Sequence, residues 1–311
     1  MAYVLNEVEK AKLQAETAAK QQARTQEINA KQLKTAAILS QLWAIATTPS
    51  ADHPYLANKQ VNGDGLRLVP ATTVGLPEDS PIRIGPDKTG SLQLLKTYDN
   101  NPDILIFTAG DLLVPVRDTE DRLWSLQTID PNGIKRFVKG SKMEGGFYVA
   151  GGMACLEQAP ALVVAEGLAT AKSLQECLGF PVVAAFSSGN LAAIVNQLHQ
   201  YFPDKPVFVA GDDDRHLESK QGINVGRKKA EQAAKSVGGK SLFAVFADTE
   251  TTLTDFNDLA TKSVFGKAGI SRQVKTVVAM EVERQMDQLG QLLGHHQGRD
   301  QVQTNSRSIR V

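Results

Sequence analysis

The sequence predicts an α/β domain with roughly four parallel strands flanked by helices, which follows a smaller α+β domain and a long N-terminal helix. Three patterns support this prediction. After about Pro160, short apolar runs alternate with helix-like segments. Between residues 66 and 148, short apolar runs are separated by turn sequences instead. Residues 1–47 mix charges of both signs without glycine and are typical of a solvated helix.

These patterns divide the chain into four segments. We expect an N-terminal helical extension over 1–47, an α+β domain over 48–157 and the α/β domain over 158–265. Residues 266–311 are expected to form a helix over about 274–293, followed by a polar, disordered tail from Gly294.

Composition narrows the class of protein. The 34 basic and 34 acidic residues balance, so a nucleic-acid binder of this composition would depend on local basic patches. No apolar run approaches the ~20 residues that span a bilayer, and the polar N-terminus lacks the pattern of a signal peptide. The two cysteines exclude a zinc ribbon or a disulfide framework. We therefore expect a cytoplasmic protein without a membrane partner.

The elements of the first half follow from local patterns. Apolar residues appear in the N-terminal helix only near its end, from Leu33 to Ile45, so that end is expected to pack on the next domain. His53-Pro54 indicates either a packed corner or a ligand contact, and the sequence leaves both open. The segment Val69–Gln93 is rich in proline and glycine and is interpreted as loop or irregular strand. Three apolar or alternating runs then predict antiparallel strands: 104–107, 112–116 and 123–129. The turn Asp130-Pro131-Asn132-Gly133 predicts a hairpin back to a strand over 134–138.

The second half alternates between strand and helix. Strands are predicted over four ranges: 161–165, 181–186, 207–210 and 241–247. Helices are predicted between them over 168–177, 190–198 and 224–237. Connections of this length favour right-handed crossovers and a parallel sheet.

Acidic residues follow two of these strands directly. Glu166 comes after the first strand, and Asp212 and Asp214 come after the third. Open α/β sheets bind their ligands at the carboxyl ends of the strands, and clustered carboxylates are stable there if a divalent cation neutralises them. Such a site suits phosphoryl-transfer chemistry. The alternative, that these acids only cap the following helices, stays open at this point.

A second set of residues is basic. Lys135, Arg136, Lys139 and Lys142 lie in one short stretch without an acid, and Arg117 precedes them. They indicate either charged strand edges that resist edge pairing or a surface that follows nucleic-acid phosphates.

Several motifs in order resemble a known family. They are the pair Glu166-Gly167 and Asp212-x-Asp214, together with the segments 53–59, 114–118, 125–129, 133–140, 189–191, 224–226 and 255–259. The pattern resembles the Toprim domain and, more closely, the plasmid- and phage-borne DNA primases that contain it. The resemblance covers roughly residues 45–266.

The resemblance implies a DNA primase that synthesises short RNA primers on single-stranded DNA in plasmid or phage replication or conjugation. Glu166 would bind metal or act as the general base on the priming 3′-hydroxyl, and Asp212 and Asp214 would bind Mg²⁺ or Mn²⁺. Three residues would support the site: Asn190, Asp255 and Asp258. Five would contact template or nucleotides: Arg117, Lys135, Arg136, Lys139 and Lys142. The partners would be single-stranded DNA and ribonucleoside triphosphates, with a replication or transfer protein as a further candidate.

The sequence departs from the family at three points. Asp213 stands where the family usually has Asn, and Gly211 stands where it often has Ala. The zinc-binding module that usually precedes the catalytic core is missing, because the sequence has only two cysteines. This third departure puts autonomous priming in question. Two other functions therefore remain: a Toprim nuclease that uses the same acids, and a non-catalytic protein that binds single-stranded DNA or recruits a partner.

Overall fold

The structure is a computed structural model that describes residues 7–99, 101–215, 222 and 224–288. The chain divides into two compact units. The first unit comprises residues 1–55 and 66–146, and the second comprises residues 56–65 and 147–311.

The first unit begins with the long helix α1, Glu7–Ile45. Its residues from 10 to 30 are exposed, whereas Leu39 and Leu42 are fully buried, so the helix packs only by its end, as the apolar pattern predicted. The end of α1 packs on an antiparallel sheet with the strand order β1-β4-β5-β6. The strands are β1 (Arg67–Leu68), β4 (Leu112–Arg117), β5 (Leu123–Ile129) and β6 (Lys135–Phe137). Leu113 and Leu126 from this sheet join Leu39 in the core.

A β-α-β unit in this half was not predicted. Strand β2 (Ile82–Gly85) and strand β3 (Leu105–Thr108) pair in parallel, and helix α3 (Lys88–Thr97) connects them. The interpretation of 69–93 as loop or irregular strand therefore agrees with β2 but is wrong for the start of α3. No larger residue fits at Gly85 without a clash, because a Cβ at this position would lie 2.4 Å from the Ser91 nitrogen. The glycine that suggested a loop is in fact required by the close packing of α3 on β2.

The corner at His53 is packed. His53 is 8% exposed, its Nδ1 accepts a hydrogen bond from the Tyr55 nitrogen, and its Nε2 donates to the Gly110 carbonyl. Burial lowers the pKa of His53, although the bond to Gly110 opposes that shift. The histidine thus caps the short helix α2 (Pro54–Lys59) in its neutral form.

The second unit contains a five-stranded sheet in the order β11-β10-β8-β9-β7. The strands are β7 (Tyr148–Ala150), β8 (Leu162–Ala165), β9 (Val182–Ala184), β10 (Val207–Ala210) and β11 (Lys240–Leu242). β8 to β11 are parallel, which confirms the predicted α/β class. β7 pairs antiparallel with β9, although the sequence placed this segment in the α+β domain. Its three residues are all buried, so they gain by joining the larger sheet.

Helices cover this sheet. They are α4 (Leu168–Leu178), α5 (Leu191–Tyr201) and α6 (Val225–Ser236), followed by α7 (Phe256–Thr261) and α8 (Gly266–Ile270). A π-helical turn at Ser271–Lys275 leads into a helix over residues 276–288. The predicted disordered tail lies outside the described residues. None of the described helices is long and apolar enough to cross a membrane.

Candidate active site in the second unit

The site lies where the connections of the parallel sheet change direction. β8 connects through α4 to β9 on one side, whereas β10 connects through α6 to β11 on the other. β8 and β10 are neighbours, so a crevice opens between their carboxyl ends. Glu166 is the first residue after β8, and Asp212 is the second after β10.

Backbone pairing brings the segments that carry these two acids next to each other. Ala165 lies opposite Ala210 in the strand register, and the Glu166 nitrogen donates a hydrogen bond to the Ala210 carbonyl at 3.2 Å. Glu166 and Asp212 are both half-buried, so their carboxylates have limited access to water. The parallel register therefore gathers the acids at one edge of the sheet, as the sequence predicted.

Asp213, between the two predicted ligands, is held by a separate network. Its carboxylate accepts hydrogen bonds from Arg227 Nη2 at 2.7 Å, Arg227 Nε at 3.1 Å and Asn224 Nδ2 at 2.7 Å. Burial would raise the pKa of Asp213, but the bonds and charge of Arg227, with Asn224 and Arg215, hold that pKa below its usual value. The carboxylate therefore remains ionised and fixes α6 against the acidic segment.

Helix α6 approaches this segment very closely. A Cβ on Gly226 would lie 2.8 Å from the Asp212 carbonyl oxygen, and one on Gly211 would lie 2.5 Å from the Ala230 Cβ. The Asn224 side chain also caps α6 by accepting from the Arg227 nitrogen. The glycines and the cap together set the backbone position of Asp212.

Asp255 and Asp258 are linked to the acidic segment through the backbone of Thr254. Asp255 caps α7 by accepting from the Asp258 nitrogen at 2.7 Å, and Asp258 accepts from the Thr254 nitrogen at 3.3 Å. The Thr254 carbonyl in turn accepts from the Asp213 nitrogen at 2.9 Å. Burial raises the pKa of Asp255, and the charge of Asp258 adds to that effect. Both acids are thus in structural roles, and Asp258 is further paired with Lys262 at 2.8 Å.

Asn190 supports the neighbouring strand end. Its Nδ2 donates to the Ala185 carbonyl at 3.0 Å, and the Ala185 nitrogen donates to the Ala165 carbonyl at 2.8 Å. The side chain thereby secures the backbone immediately before Glu166.

The acids do not form a ready-made metal cage. Among the described residues, no group of three or more His, Cys, Asp or Glu side chains is arranged to hold one ion. As three side chains, Glu166, Asp212 and Asp214 are thus not arranged around one ion, and their role as metal ligands stays a prediction. The donors present are carboxylate oxygens, which suit a Mg²⁺ ion that takes one or two carboxylates and completes its shell with waters and substrate phosphates.

The predicted basic residues lie in the first unit and are divided between two roles. Arg117 donates to the Asp121 carbonyl, and the Lys142 ammonium lies 4.5 Å from the centre of the Trp124 ring, so these two are engaged locally. Lys135, Arg136 and Lys139 are exposed, and the first two lie on β6, the edge strand of its sheet. Both the edge-protection and the phosphate-contact interpretations are compatible with this placement.

Sequence reasoning missed two important residues. The sequence analysis assigned no role to Arg227, although its spacing of three from Asn224 is that of a capped helix start. Lys172 is 3% exposed, and its Nζ donates to Asn62 Oδ1 and to the Asp64 carbonyl, both at 2.9 Å. Burial lowers the pKa of Lys172 to about 8, opposed by the charge of Asp64. A lysine in a helix is normally exposed, so the sequence around Lys172 did not indicate that this side chain is buried and hydrogen-bonded.

The Toprim domain model matches residues 161–264, which include this parallel sheet and the acids that follow two of its strands. Most of the chain is similar to two Escherichia coli proteins named DNA primase TraC. One is 34% identical over 89% of this chain, and the other is 41% identical over 80% of it. The predicted resemblance to Toprim-domain primases is confirmed by these matches. The chain spans only 28% and 15% of the lengths of the two relatives.

Solved primases also resemble the fold at low identity. The DnaG primase catalytic domain bound to single-stranded DNA is 15% identical, with a TM-score of 0.46 over 83% of this chain and 80% of that one. The Aquifex aeolicus primase fragment is 16% identical, with a TM-score of 0.46 over 79% of this chain and 61% of that one.

Proposed function

We propose that this chain is a primase-like nucleotidyltransferase that joins ribonucleotides on single-stranded DNA in plasmid or phage replication or conjugative transfer. The observation that supports this most directly is the placement of Glu166 and Asp212 after two neighbouring parallel strands, at the switch point of the sheet that the Toprim domain model matches. The similarity to DNA primases supplies the substrate class, because the acids alone suit any phosphoryl transfer.

The divalent metal is part of the proposal. Glu166, Asp212 and Asp214 would hold Mg²⁺ or Mn²⁺ together with substrate oxygens, and the bound ion would offset the negative charge that develops on the phosphoryl group. The choice between the two metals is left to experiment.

The residues of the chain would then perform three tasks. Glu166 accepts the proton of the priming 3′-hydroxyl. The oxygen of that hydroxyl bonds to the α-phosphorus of the incoming nucleotide as the bond from this phosphorus to pyrophosphate breaks. The Asp213–Arg227 pair holds the backbone that carries Asp212 and Asp214. The exposed cations Lys135, Arg136 and Lys139 contact template phosphates.

The test is an assay with single-stranded DNA, labelled ribonucleotides and either Mg²⁺ or Mn²⁺. We expect metal-dependent oligoribonucleotides, with yields reduced by roughly 100-fold or more in Glu166→Gln and Asp212→Asn. Asp204→Asn is the matched control, because Asp204 is an exposed acid of the same unit that precedes β10.

The other outcomes are informative. Shortened DNA that disappears in Asp212→Asn would identify a Toprim nuclease instead. DNA binding without any product, unchanged by either substitution, would refute both enzymatic functions and favour a binding or recruiting protein.

A further inference from the structure

Arg215 directly follows the acidic segment, residues 212–214. Its Nε lies 3.5 Å from Asp213 Oδ2, and its side chain is 46% exposed. Its backbone nitrogen donates a hydrogen bond to the Asp213 carbonyl at 2.8 Å, which closes a three-residue turn. The guanidinium therefore lies beside the segment that carries Asp212 and Asp214, the proposed metal ligands.

Asp213 is already satisfied by other partners. Its carboxylate accepts two hydrogen bonds from Arg227 and one from Asn224. Arg215 adds a second guanidinium to this one carboxylate, and that guanidinium donates no hydrogen bond within the residues that the structure describes. The positive charge and the N–H donors of Arg215 are therefore left for a ligand.

An aromatic ring sets the position of this guanidinium. Its central carbon lies 5.7 Å from the centre of the ring of Phe246, which is buried. The segment that carries Phe246 is itself fixed, because the Gln273 side chain donates to the Val245 carbonyl at 2.7 Å and accepts from the Val245 nitrogen at 2.9 Å. A guanidinium held over a buried ring has less conformational freedom to lose when it binds an anion.

The strand order places Arg215 and Glu166 on opposite sides of the end of β10. Glu166 follows β8, which pairs with β10 on one side. Phe246, over which Arg215 lies, comes after β11, which pairs with β10 on the other side. A substrate bound across the end of β10 therefore has one end near Glu166 and the other near Arg215.

A nucleoside triphosphate fits this arrangement. Its reacting α-phosphate belongs beside Glu166, the proposed base, so its β- and γ-phosphates extend toward Arg215. The planar fork of N–H donors in arginine matches the oxygens of a phosphate. The acids of the segment repel a triphosphate, and a cation fixed at its far end offsets that repulsion.

We propose that Arg215 binds the β- and γ-phosphates of the incoming ribonucleoside triphosphate, the part of the substrate that leaves as pyrophosphate. This inference rests on the proposed function and adds to it the residue that holds the leaving group. Arg227 does not share the task, because Asp213 engages its Nε and Nη2. A phosphate of the DNA backbone is the competing ligand, and the experiment separates the two.

The experiment measures the affinity of the full chain for ATP with Mg²⁺ and a single-stranded template whose annealed primer ends in a 3′-deoxynucleotide, so that no nucleotide is joined. Arg215→Ala is expected to weaken the binding of ATP about tenfold or more, which is the effect of losing a hydrogen bond between charged groups. The same variant is expected to weaken the binding of inorganic pyrophosphate about tenfold and to change that of AMP by less than about twofold.

Two further variants complete the comparison. Arg215→Lys keeps the charge but not the planar fork, so its affinity for ATP is expected to lie between those of the unaltered chain and Arg215→Ala. Arg272→Ala is the matched control, because Arg272 is an exposed arginine of the same unit that also lies over a phenyl ring, 6.0 Å from the centre of Phe265. The control is expected to change the affinity for ATP by less than about twofold.

Each other outcome has a defined meaning. Equal losses of ATP and AMP affinity in Arg215→Ala would show that the arginine only shapes the acidic segment, and they would overturn the inference. Unchanged ATP affinity with weaker binding of the oligonucleotide would assign Arg215 to the DNA backbone and would overturn it as well. A chain that forms primers with an unchanged KM for ribonucleotides in Arg215→Ala would refute this inference alone. A chain that forms no primers but shows the difference between ATP and AMP would refute the proposed function and leave this inference standing.

Discussion

The ion pair between Asp213 and Arg227 provides a quantitative test of how the acidic segment is held. Two unit charges about 4 Å apart attract by about 4 kcal/mol at the effective dielectric constant of a protein surface. The Asp213 side chain is 4% exposed but that of Arg227 is 37% exposed, so solvent screening reduces the coupling to about 2 kcal/mol. We expect this coupling in a double-mutant cycle of Asp213→Ala and Arg227→Ala.

The cycle is measured by chemical denaturation followed by far-UV circular dichroism. Asp213→Ala alone is expected to cost about 3 kcal/mol, because it leaves the donors of Arg227 and Asn224 without their carboxylate. Glu231→Ala is the control, since its pair with Arg227 is 3.5 Å long and 51% exposed on the Glu231 side and is expected to contribute less than about 0.5 kcal/mol. Additive effects of the two alanine substitutions, within about 0.5 kcal/mol, would refute the argument.

The same pair has a defined pH dependence. The pKa of Asp213 is lowered in the folded chain, so its contribution is present above the unfolded value of about 3.8 and is lost as the pH falls through the lowered value. The coupling energy in the cycle is therefore expected to be constant from pH 5 to 8.

Two further substitutions test other features. Burial raises the pKa of Asp111 to about 6, with help from Asp130 and against Arg136 and Lys88, so the ionised carboxylate destabilises the fold above that pH and the cost is removed as the pH falls toward 4. Asp111→Asn is therefore expected to stabilise the first unit by about 1 kcal/mol at pH 7.5, after allowance for solvent screening, and to have little effect at pH 4.5. Unfolding followed by tryptophan fluorescence measures the change in stability. Equal effects of the substitution at both pH values would contradict this expectation. Gly226→Ala is expected to destabilise the second unit by about 1–3 kcal/mol and to reduce nucleotidyl transfer, because the Cβ of the alanine would press on the Asp212 carbonyl. Unchanged activity and stability would contradict the tight packing.

The tryptophan measurement is selective because both tryptophans, Trp43 and Trp124, belong to the first unit. Changes in the second unit are followed by circular dichroism instead, so each substitution is measured by the signal that reports on its own surroundings.

Much of the second unit could be predicted from sequence, because its signals are local. Apolar strands such as Leu162–Ala165 and Val207–Ala210 are short and continuous, the helices between them have ordinary lengths, and the acids follow the strands directly. Because such strands run parallel, their carboxyl ends lie at one edge of the sheet. The adjacency of β8 and β10, which are separated by β9 in the chain, was not part of that prediction.

The features that could not be predicted from the sequence depend on contacts between residues far apart in the chain. Gly85 suggested a loop, yet it is needed for contact between α3 and β2. Strand β7 is indistinguishable from the other short apolar runs until its partner β9 is known. Lys172 is buried only because residues 62 and 64 supply oxygen acceptors more than a hundred residues away in the chain.

Asp213 illustrates why the acidic segment is more than a set of ligands. The chain has three consecutive carboxylates here, and three adjacent negative charges would repel one another strongly unless one were neutralised from within the protein. Arg227, stacked 4.0 Å from the centre of the Phe243 ring, supplies that neutralising charge from the first turn of α6. The middle acid is thus engaged in a structural ion pair, and only Asp212 and Asp214 belong to the proposed metal site. Consequently Asp213→Asn is expected to destabilise the second unit unless Arg227 changes with it, because the arginine would keep only its longer, exposed pair with Glu231.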